Sequence, residues 1–468
     1  MKKGSIAVLS LAVATELLVA GGKIAPLTEE VVVAPIPAKI KSAKYVQKSI
    51  TADDGSIHGY LRMHHIFDGE ENGFDPVTGS TLGFGLGYGM EIIEGLKVGA
   101  EIYGVMDSGL TDTDETAIAY GQFLNEVKSP SELDAGVNWG AHISYESHGM
   151  KATLARSQFK SPMTNIQITH VPNLYEFARL DAKLFGGKAS LAYITKMAYG
   201  SRAGADFGLI GEKTGTAGMA LSPFTNPKVF RHRGTYYDIS ETVLNNDSNG
   251  IFVIGYEKKI KRFNFRVWDF WVDDVANNLY ADASYKIPFG KGKGLKLSAQ
   301  VWNQNIDNTF YEKNYGGTMY GAEAVLKWGQ LIGKLAYTSK DEGGLLNAWG
   351  ANPGYTSSIF SRNEYRGDVD AYKATMVYKP LKNLKFMVSY ADYGQSDMSL
   401  KGKKNGTAFT LFPTSDATER DLVIVYKPLP QLTLKLFNAN RTSEFHGAKN
   451  GKVKKTQNHT RLIINYAF

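Results

Sequence analysis

The chain ends in Arg461-Leu462-Ile463-Ile464-Asn465-Tyr466-Ala467-Phe468, a stretch with the period of two that is typical of a β-strand. On such a strand one face carries Leu462, Ile464, Tyr466 and Phe468. Arg461, Asn465 and Ala467 lie on the other face, together with Ile463. An aromatic end residue favours a strand whose outer face meets lipid, because aromatic girdles border the apolar band of an outer-membrane barrel. The terminal strand of a soluble sheet is the alternative, so the rest of the chain has to decide.

The composition narrows the classes of protein. Aromatic residues make up 12% of the 468 residues, and the 26 Tyr and 23 Phe favour strands and interfaces over a helical core. Cysteine is absent, which excludes a disulfide framework, a thiol nucleophile and a cysteine metal site. The net charge of +7 is spread along the chain without a long Lys/Arg block, so nucleic acid is not an expected partner.

The N-terminus has the layout of a secretory signal. Lys2 and Lys3 precede an apolar run from Ile6 to Ala14, which is too short to span a bilayer, and Leu18-Val19-Ala20 supplies small residues for cleavage. We therefore expect a signal peptide over residues 1–20, a periplasmic lead-in over 21–52 and a barrel over 53–468. No later segment approaches the length of an apolar helical span, so a membrane role requires strands.

Alternation of apolar and polar residues recurs from about Gly55 to the end of the chain. A clear example is Leu295-Lys296-Leu297-Ser298-Ala299-Gln300-Val301, where large or apolar residues occupy every second position. About 18 such strands can be counted, an even number as in bacterial outer-membrane barrels. The pattern predicts an all-β fold, a closed antiparallel transmembrane β-barrel.

The lengths of the predicted connections support closure into a barrel. Tight turns alternate with longer polar segments, as expected for short periplasmic turns and long extracellular loops. A soluble sandwich has no reason to sort its connections in this way, and a closed barrel removes exposed strand edges. The long connections are predicted near residues 109–135, 160–173, 201–249, 340–367, 395–417 and 442–456.

Two stretches invite a ligand-binding interpretation. Gly83, Gly85, Gly87 and Gly89 alternate with apolar residues inside a predicted strand, which does not match the strand–loop–helix context of a dinucleotide loop. The acidic stretch 112–115, with Asp107 nearby, offers oxygen ligands for calcium but lacks the Gly and distal Glu of an EF-hand. We expect no cofactor and no metal site, with calcium in this acidic loop as the alternative.

Basic side chains recur on the polar faces of the predicted strands. In lipid each would cost roughly 2–4 kcal/mol near the midplane, so they are expected to face the lumen. The predicted pore-lining set is Arg62, Lys97, Arg179, Lys183, Arg262, Arg266, Lys296 and Lys334. The same faces carry fewer acids, namely Glu101, Asp181, Asp282 and Glu323. A basic lumen concentrates anions; the alternative is that many of these residues are solvated at the periplasmic rim.

Residues from about 156 to 180 resemble the fifth strand and third loop of OprD-type porins. The resemblance rests on Arg156-Ser157-Gln158, Ser161-Pro162-x-x-Asn165 and Pro172-Asn173-Leu174-Tyr175-Glu176, and with the strand layout it extends over nearly the whole mature chain. It is closest to the epsilonproteobacterial major outer-membrane porins. Thr169 departs from the pattern, since the family tends to carry Arg there. The facing of Arg156 stays open, because Leu154 shares its parity.

The resemblance implies an inward-folded third loop that forms a constriction. The implied constriction residues are Ser161, Pro162, Thr164, Asn165 and His170. It also implies an outer-membrane channel for ion transport and passive diffusion of small hydrophilic solutes, with an anion or carboxylate preference and no enzymatic activity. The expected partners are outer-membrane lipid, lipopolysaccharide and the solutes, with a homotrimer as one oligomeric state. The alternatives are a lipase-like outer-membrane enzyme with an exposed Ser-His pair and a surface adhesin using residues 201–249.

Overall fold

The computed structural model describes most of the chain from Gly55 onward. The described residues are 55–68, 78–111, 136–164, 170–200, 234–243, 246–309, 315–341, 343–345, 349–350, 353–364, 366–394, 400–404, 407–411, 414–448 and 451–468. The predicted signal peptide, the lead-in and the acidic stretch 112–115 lie outside them, as do residues 201–233 and 244–245 of the predicted loop 201–249.

Strands dominate the described residues, with one short helix. The strands are β1 (Gly55–Asp68), β2 (Thr78–Ile93), β3 (Leu96–Asp107), β4 (Gly136–Ser147), β5 (Met150–Ser157), β6 (Leu174–Leu184), β7 (Gly187–Ala198), β8 (Tyr236–Asp238), β9 (Ile251–Ile260), β10 (Phe263–Val272), β11 (Ala276–Gly290), β12 (Lys293–Ile306), β13 (Gly317–Trp328), β14 (Leu331–Lys340), β15 (Val369–Leu381), β16 (Leu384–Tyr393), β17 (Leu400–Lys404), β18 (Thr407–Leu411), β19 (Thr414–Tyr426), β20 (Leu432–Ala448) and β21 (Gly451–Ala467). The helix is α1 (Ile239–Thr242).

Eighteen of the strands in the described part of the chain form a closed antiparallel barrel, which confirms the predicted fold class. Neighbours in sequence pair with one another, and β7 pairs with β9 because β8 is a short addition beside the end of β7. The hairpin β17–β18 forms a separate sheet between β16 and β19. No helix within the described ranges is long and apolar enough to span a membrane.

The C-terminal strand closes the barrel against the first strand, as predicted. β21 pairs with β1 from Tyr60↔Ala467 to Asp68↔His459, a register that extends beyond the predicted partner range Ile57–Met63. The last residue continues the pairing: the Gly59 N–H donates to the Phe468 carbonyl at 2.9 Å, and the Phe468 N–H donates to the Gly59 carbonyl at 3.0 Å. A Cβ at position 59 would lie against the Phe468 ring, so glycine makes room for this closure.

The outer face of the wall is apolar. Leu154, Leu335 and Tyr372 are 61%, 66% and 57% exposed, as lipid-facing side chains are when the barrel is considered alone. Tyr466 and Phe468 are exposed on the same face, in line with the facing predicted for the last strand. The buried hydrophobic core lies inside the barrel instead, where Phe159, Tyr175, Phe177, Trp268, Tyr280, Trp302 and Trp349 pack together.

The connections are mostly sorted by length, with two exceptions to the prediction. The prediction of a long loop over residues 442–456 is wrong, because β20 and β21 continue their pairing through most of this range, with Ala448 opposite Gly451. β10 and β11 are joined at the long-loop end by the three residues 273–275. Where a hairpin projects beyond the apolar band, its strands can carry polar residues on both faces. Hydropathy alone therefore misassigned residues 442–456 as a loop. We call this end of the barrel the loop end, and the opposite end the turn end.

Candidate functional site

The third loop, between β5 and β6, begins inside the barrel. Phe159 and Met163 are buried against the inner core, and Phe159 packs edge-on against Phe177 with ring centroids 5.1 Å apart. The Ser161 and Thr164 hydroxyls are 2.7 Å apart, and the Thr164 hydroxyl donates to the Phe159 carbonyl, which holds the turn together.

The predicted constriction residues fall in this loop. Ser161, Pro162 and Thr164 are buried, and Asn165 lies outside the described residues. The burial of Ser161 and Thr164 means that the loop packs against other protein groups here. Their place in a constriction of the pathway stays a prediction.

The far end of the third loop is attached to the wall through His170. Its ring packs against that of His64 at a tilt of 32°, with centroids 3.9 Å apart, and its Nε2 lies 2.8 Å from the Thr81 hydroxyl. The Tyr60 hydroxyl donates to the His170 carbonyl at 2.5 Å. A Cβ at Gly83 would collide with the His170 ring, so this glycine of the alternating Gly stretch permits the close approach. The stretch therefore has a packing role at this position.

Burial against basic residues lowers the pKa of His170 well below its usual value. Desolvation is the main cause, and the positive charges of Arg62 and Arg461 add to it. A histidine whose pKa is lower in the folded state binds fewer protons than the unfolded chain at mildly acidic pH. Docking of the third loop is therefore most stable above about pH 6.5 and weakens as the pH falls below it.

We expect the substitution His170→Gln to reduce this pH dependence. Glutamine keeps polar atoms at the site and does not titrate, so residues 158–173 should exchange amide hydrogens at similar corrected rates at about pH 7.5 and about pH 5. In the unsubstituted protein the exchange should increase at the lower pH. His58→Gln is the matched control, because His58 is an exposed histidine of β1, the strand whose His64 contacts His170. Equal pH responses of the His170→Gln variant and the unsubstituted protein would contradict this origin.

A second inward segment, which the sequence did not predict, comes from the connection between β14 and β15. Its described parts are 343–345, 349–350 and 353–364, and most of their side chains are buried. The Glu419 carboxylate on β19 accepts the N–H groups of Phe360 and Ser361 at 2.8 and 2.7 Å. The Tyr393 hydroxyl donates to the Thr356 carbonyl at 2.6 Å. These bonds attach the segment to the inner wall.

The two inward segments meet each other. The Tyr175 hydroxyl, at the start of β6, donates to the Trp349 carbonyl, and the Trp349 indole N–H donates to the Thr242 hydroxyl at 2.9 Å. Gly350 lies so close to the backbone of Met163 and Thr164 that a Cβ would collide with it. The barrel interior is therefore narrowed by the third loop and the β14–β15 connection together. Trp349 and Tyr355 in a long polar connection were the sequence signal for the second segment.

The predicted basic residues occupy three kinds of position. Arg62, Arg179, Arg266, Lys296 and Lys334 lie on inner faces within their strands. Lys97 and Lys183 share that parity but lie next to tight turns at the turn end. Arg262 lies in the turn between β9 and β10 and is exposed, so it belongs to the rim.

Three of the inner-face basic residues are paired with the predicted acids. Arg179 lies 3.0 Å from Asp181, Arg266 makes a bidentate pair with Asp282, and Lys296 lies 2.9 Å from Glu323. The side chains of Asp282 and Glu323 are each 4% exposed, so these carboxylates interact with their basic partners and not with solvent. These pairs contribute less net charge to the lumen than a count of basic residues predicts.

A basic cluster remains around Lys334. Lys296, Lys373, Lys385 and Glu323 all act electrostatically on Lys334, and Glu323 is the acid among these four residues. Glu323 is already bound to Lys296, and Lys373 lies 3.8 Å from Asp421. Lys334 itself makes no hydrogen bond or ion pair with a described residue. The structure thus brings Lys296 and Lys334 of the predicted pore-lining set together with two further lysines of the inner wall, Lys373 and Lys385.

The first and last strands carry further basic residues. Arg62 Nε donates to the Asn465 Oδ1 at 2.8 Å, and Arg461 Nε donates to His459 Nε2 at 3.2 Å. Both arginines lie near the docked end of the third loop, since both act on His170. Across the residues that the structure describes, no group of three or more His, Cys, Asp or Glu side chains is arranged to hold a metal ion.

Comparison with known proteins identifies the fold. No protein-family model matches the chain, and no curated protein sequence does. Among solved structures, Pseudomonas aeruginosa OccK9 (OpdG) superposes with a TM-score of 0.67 at 16% identity, covering 89% of this chain and 98% of that one. P. aeruginosa OpdK with vanillate gives 0.65 at 14% identity, covering 88% and 98%. Acinetobacter baumannii OccAB3 gives 0.63 at 12% identity, covering 88% and 99%. The chain therefore has the barrel fold of the Occ and Opd proteins, as the resemblance to OprD-type porins predicts.

Proposed function

We propose that the protein is an outer-membrane porin that lets small hydrophilic solutes diffuse through its barrel. The observation that carries the proposal is a closed 18-stranded barrel with an apolar outer face, a basic cluster on its inner wall and an interior narrowed by two inward segments. An interior of this kind suits a water-filled pathway, because inward-facing polar residues tune selectivity while the outer face meets lipid. The similarity of the fold to OpdK, described as an outer membrane protein, supports the same location.

The solute preference that we propose is for anions, carboxylates in particular. The basic cluster around Lys334 and the arginines near His170 present positive charge to the interior, while the nearby carboxylates are bound to basic partners. Positive wall charge lowers the energy of an anion in a narrow pathway and raises that of a cation. The related fold of OpdK has been solved with vanillate, which carries a carboxylate, and this supports the same solute class for the present chain.

Location and partners follow from the same proposal. We infer export through a signal peptide over residues 1–20 and insertion into the outer membrane, where lipid and lipopolysaccharide surround the barrel. A homotrimer remains a proposal for the assembled state. The lipase-like alternative gains no support. Ser147 and His148 are hydrogen-bonded at 2.7 Å, but they are consecutive residues at a tight turn, and neither side chain contacts a carboxylate of the described chain.

Planar-bilayer recording of the refolded protein tests the function. We expect discrete conductance steps, and a reversal potential in a salt gradient that indicates anion preference. Heat-unfolded protein at the same concentration is the control for detergent artefacts. Absence of steps from correctly folded protein would contradict the porin function. A cation-selective reversal potential would contradict the basic-lumen proposal and leave the channel intact.

A further inference from the structure

An ion pair lies on the outer face of the barrel, where lipid-facing residues surround it. Arg156 on β5 has the parity of the 61% exposed Leu154, and Glu176 on β6 has the parity of the exposed Leu180. Arg156 Nε donates to Glu176 Oε2 at 2.7 Å, and both side chains are about one-third exposed. The facing of Arg156, which the sequence left open, is therefore outward.

Aromatic rings hold the Arg156 guanidinium in place. Its Cζ lies 5.0 Å from the Trp139 ring centroid and 4.7 Å from that of Tyr236. The Tyr236 hydroxyl donates to the Trp139 carbonyl at 3.0 Å, which ties the two aromatic residues together. Cation–π contacts of this kind fix the plane of the guanidinium without occupying its N–H donors.

The terminal amino groups of Arg156 donate no hydrogen bond to the residues that the structure describes. The bond from Nε to Glu176 is the one hydrogen bond that the Arg156 side chain makes with them. Glu176 has a second partner, since the Thr195 hydroxyl donates to its Oε1 at 3.2 Å. The adjacent outward pair Lys196–Asp238 is closed on itself at 3.1 Å. What the site offers a ligand is thus the planar terminal N–H donors of a guanidinium whose Nε is bound to the Glu176 carboxylate.

An apolar groove leads from this donor toward the turn end. Ala141 on β4 and Ala178 on β6 are small, while Ile143, Leu154 and Tyr193 around them are large, so the lipid-facing wall is indented there. The open groove has a cavity volume of about 500 Å³ and includes Arg156, Glu176 and Thr195 at its loop end. Its polar part therefore lies closer to the extracellular side than its apolar part, the orientation of a lipid of the outer leaflet.

We propose that this groove binds lipopolysaccharide, with a lipid A phosphate on Arg156 and an acyl chain along Ala141 and Ala178. The unused amino groups of a guanidinium match two phosphate oxygens, and such charge-assisted bonds are strong where the site is partly removed from water. The glycolipid supplies the phosphate and the acyl chain in the order that the groove requires. The inference rests on the proposed outer-membrane location, because that membrane provides this lipid in its outer leaflet.

Native mass spectrometry of the refolded protein tests the site with three lipids. The probes are phosphorylated lipid A, the same lipid A after enzymatic removal of its phosphates, and phosphatidylglycerol. We expect retention of phosphorylated lipid A, about tenfold weaker retention by Arg156→Gln, and a similar loss in Ala178→Phe, which fills the groove. Arg420→Gln is the matched control, since Arg420 also faces outward, over the Tyr390 ring at 5.9 Å, and lies on a distant strand. It should retain the lipid.

Other outcomes would overturn the assignment. Equal retention of dephosphorylated lipid A would exclude the phosphate contact, and equal retention of phosphatidylglycerol would exclude specificity for the glycolipid. A change in the oligomer distribution of Arg156→Gln, with lipid retention unaltered, would indicate a second copy of the chain as the occupant. Bilayer conductance of the same samples separates this inference from the porin function: conducting protein that retains no lipid A contradicts the inference alone, and lipid-binding protein that does not conduct contradicts the channel alone.

Discussion

Replacing residues 342–367 by an Asn-Gly turn should raise the single-channel conductance several-fold. The described parts of this connection lie inside the barrel, where they contact the third loop and the wall formed by β16 and β19. Their removal widens the narrowed part of the interior, and conductance rises with the open cross-section. The junction is feasible, because the Asp368 N–H already donates to the Asp341 carbonyl at 2.8 Å and Asn-Gly favours a two-residue hairpin.

A milder version of the same experiment weakens the hydrogen bonds that attach the β14–β15 connection to the inner wall. Glu419→Gln replaces one of the two oxygens that accept the Phe360 and Ser361 N–H groups, at 2.8 and 2.7 Å. We expect more frequent current fluctuations with little change in the mean, since the segment loosens but stays within the barrel. Asp392→Asn, on the outer face, is a control for the loss of an acid. Unchanged conductance in the folded deletion variant would show that the segment does not limit the pathway.

Period-two alternation made the barrel predictable from sequence. It assigns a face to every residue of a strand, as in Leu462 and Arg461, and a slip by one residue would invert all the faces together. Closure followed from the terminal strand and the even count. The extension of β20 and β21 did not follow, because residues such as Thr442 and Thr456, which pair with each other, lie in strands beyond the apolar band, where no face is required to be hydrophobic.

The interior was less predictable, for two physical reasons. An inward loop has no periodicity, so the contact of Glu419 with Ser361, 58 residues apart in the sequence, leaves no local signal. The second reason is that the face on which a basic residue lies does not determine how much charge it adds to the lumen. Arg266 and Lys334 share an inner-face pattern, yet Arg266 is neutralised by Asp282 while no acid of the described chain is bound to Lys334. Pairing across strands requires the register, which the sequence pattern left undetermined.

Lys334→Glu should shift the reversal potential in a salt gradient toward the value for cation selectivity. We expect a larger shift from it than from a substitution at any of the ion-paired basic residues of the inner wall. Lys334 lies among Lys296, Lys373 and Lys385, and it is not bound to a carboxylate of the described chain. Its charge therefore acts on ions in the pathway. A unit charge about 4 Å from an ion changes its energy by about 1 kcal/mol in water, a factor of roughly five in local concentration, and by more where the wall excludes water.

The matched control is Lys327→Glu, which makes the same charge change on the neighbouring strand β13. Lys327 also has inner-face parity, but it is exposed beside the tight turn, where salt screens its charge. We expect a small shift there, and little shift from the double substitution Arg266→Met with Asp282→Leu, which removes both charges of a neutral pair. Equal shifts in Lys334→Glu and Lys327→Glu would place the selectivity at the turn-end mouth. A larger shift in the control would contradict the assignment of the basic cluster. The three variants together separate charge that faces the pathway from charge that is neutralised within the wall, the distinction on which the proposed anion preference depends.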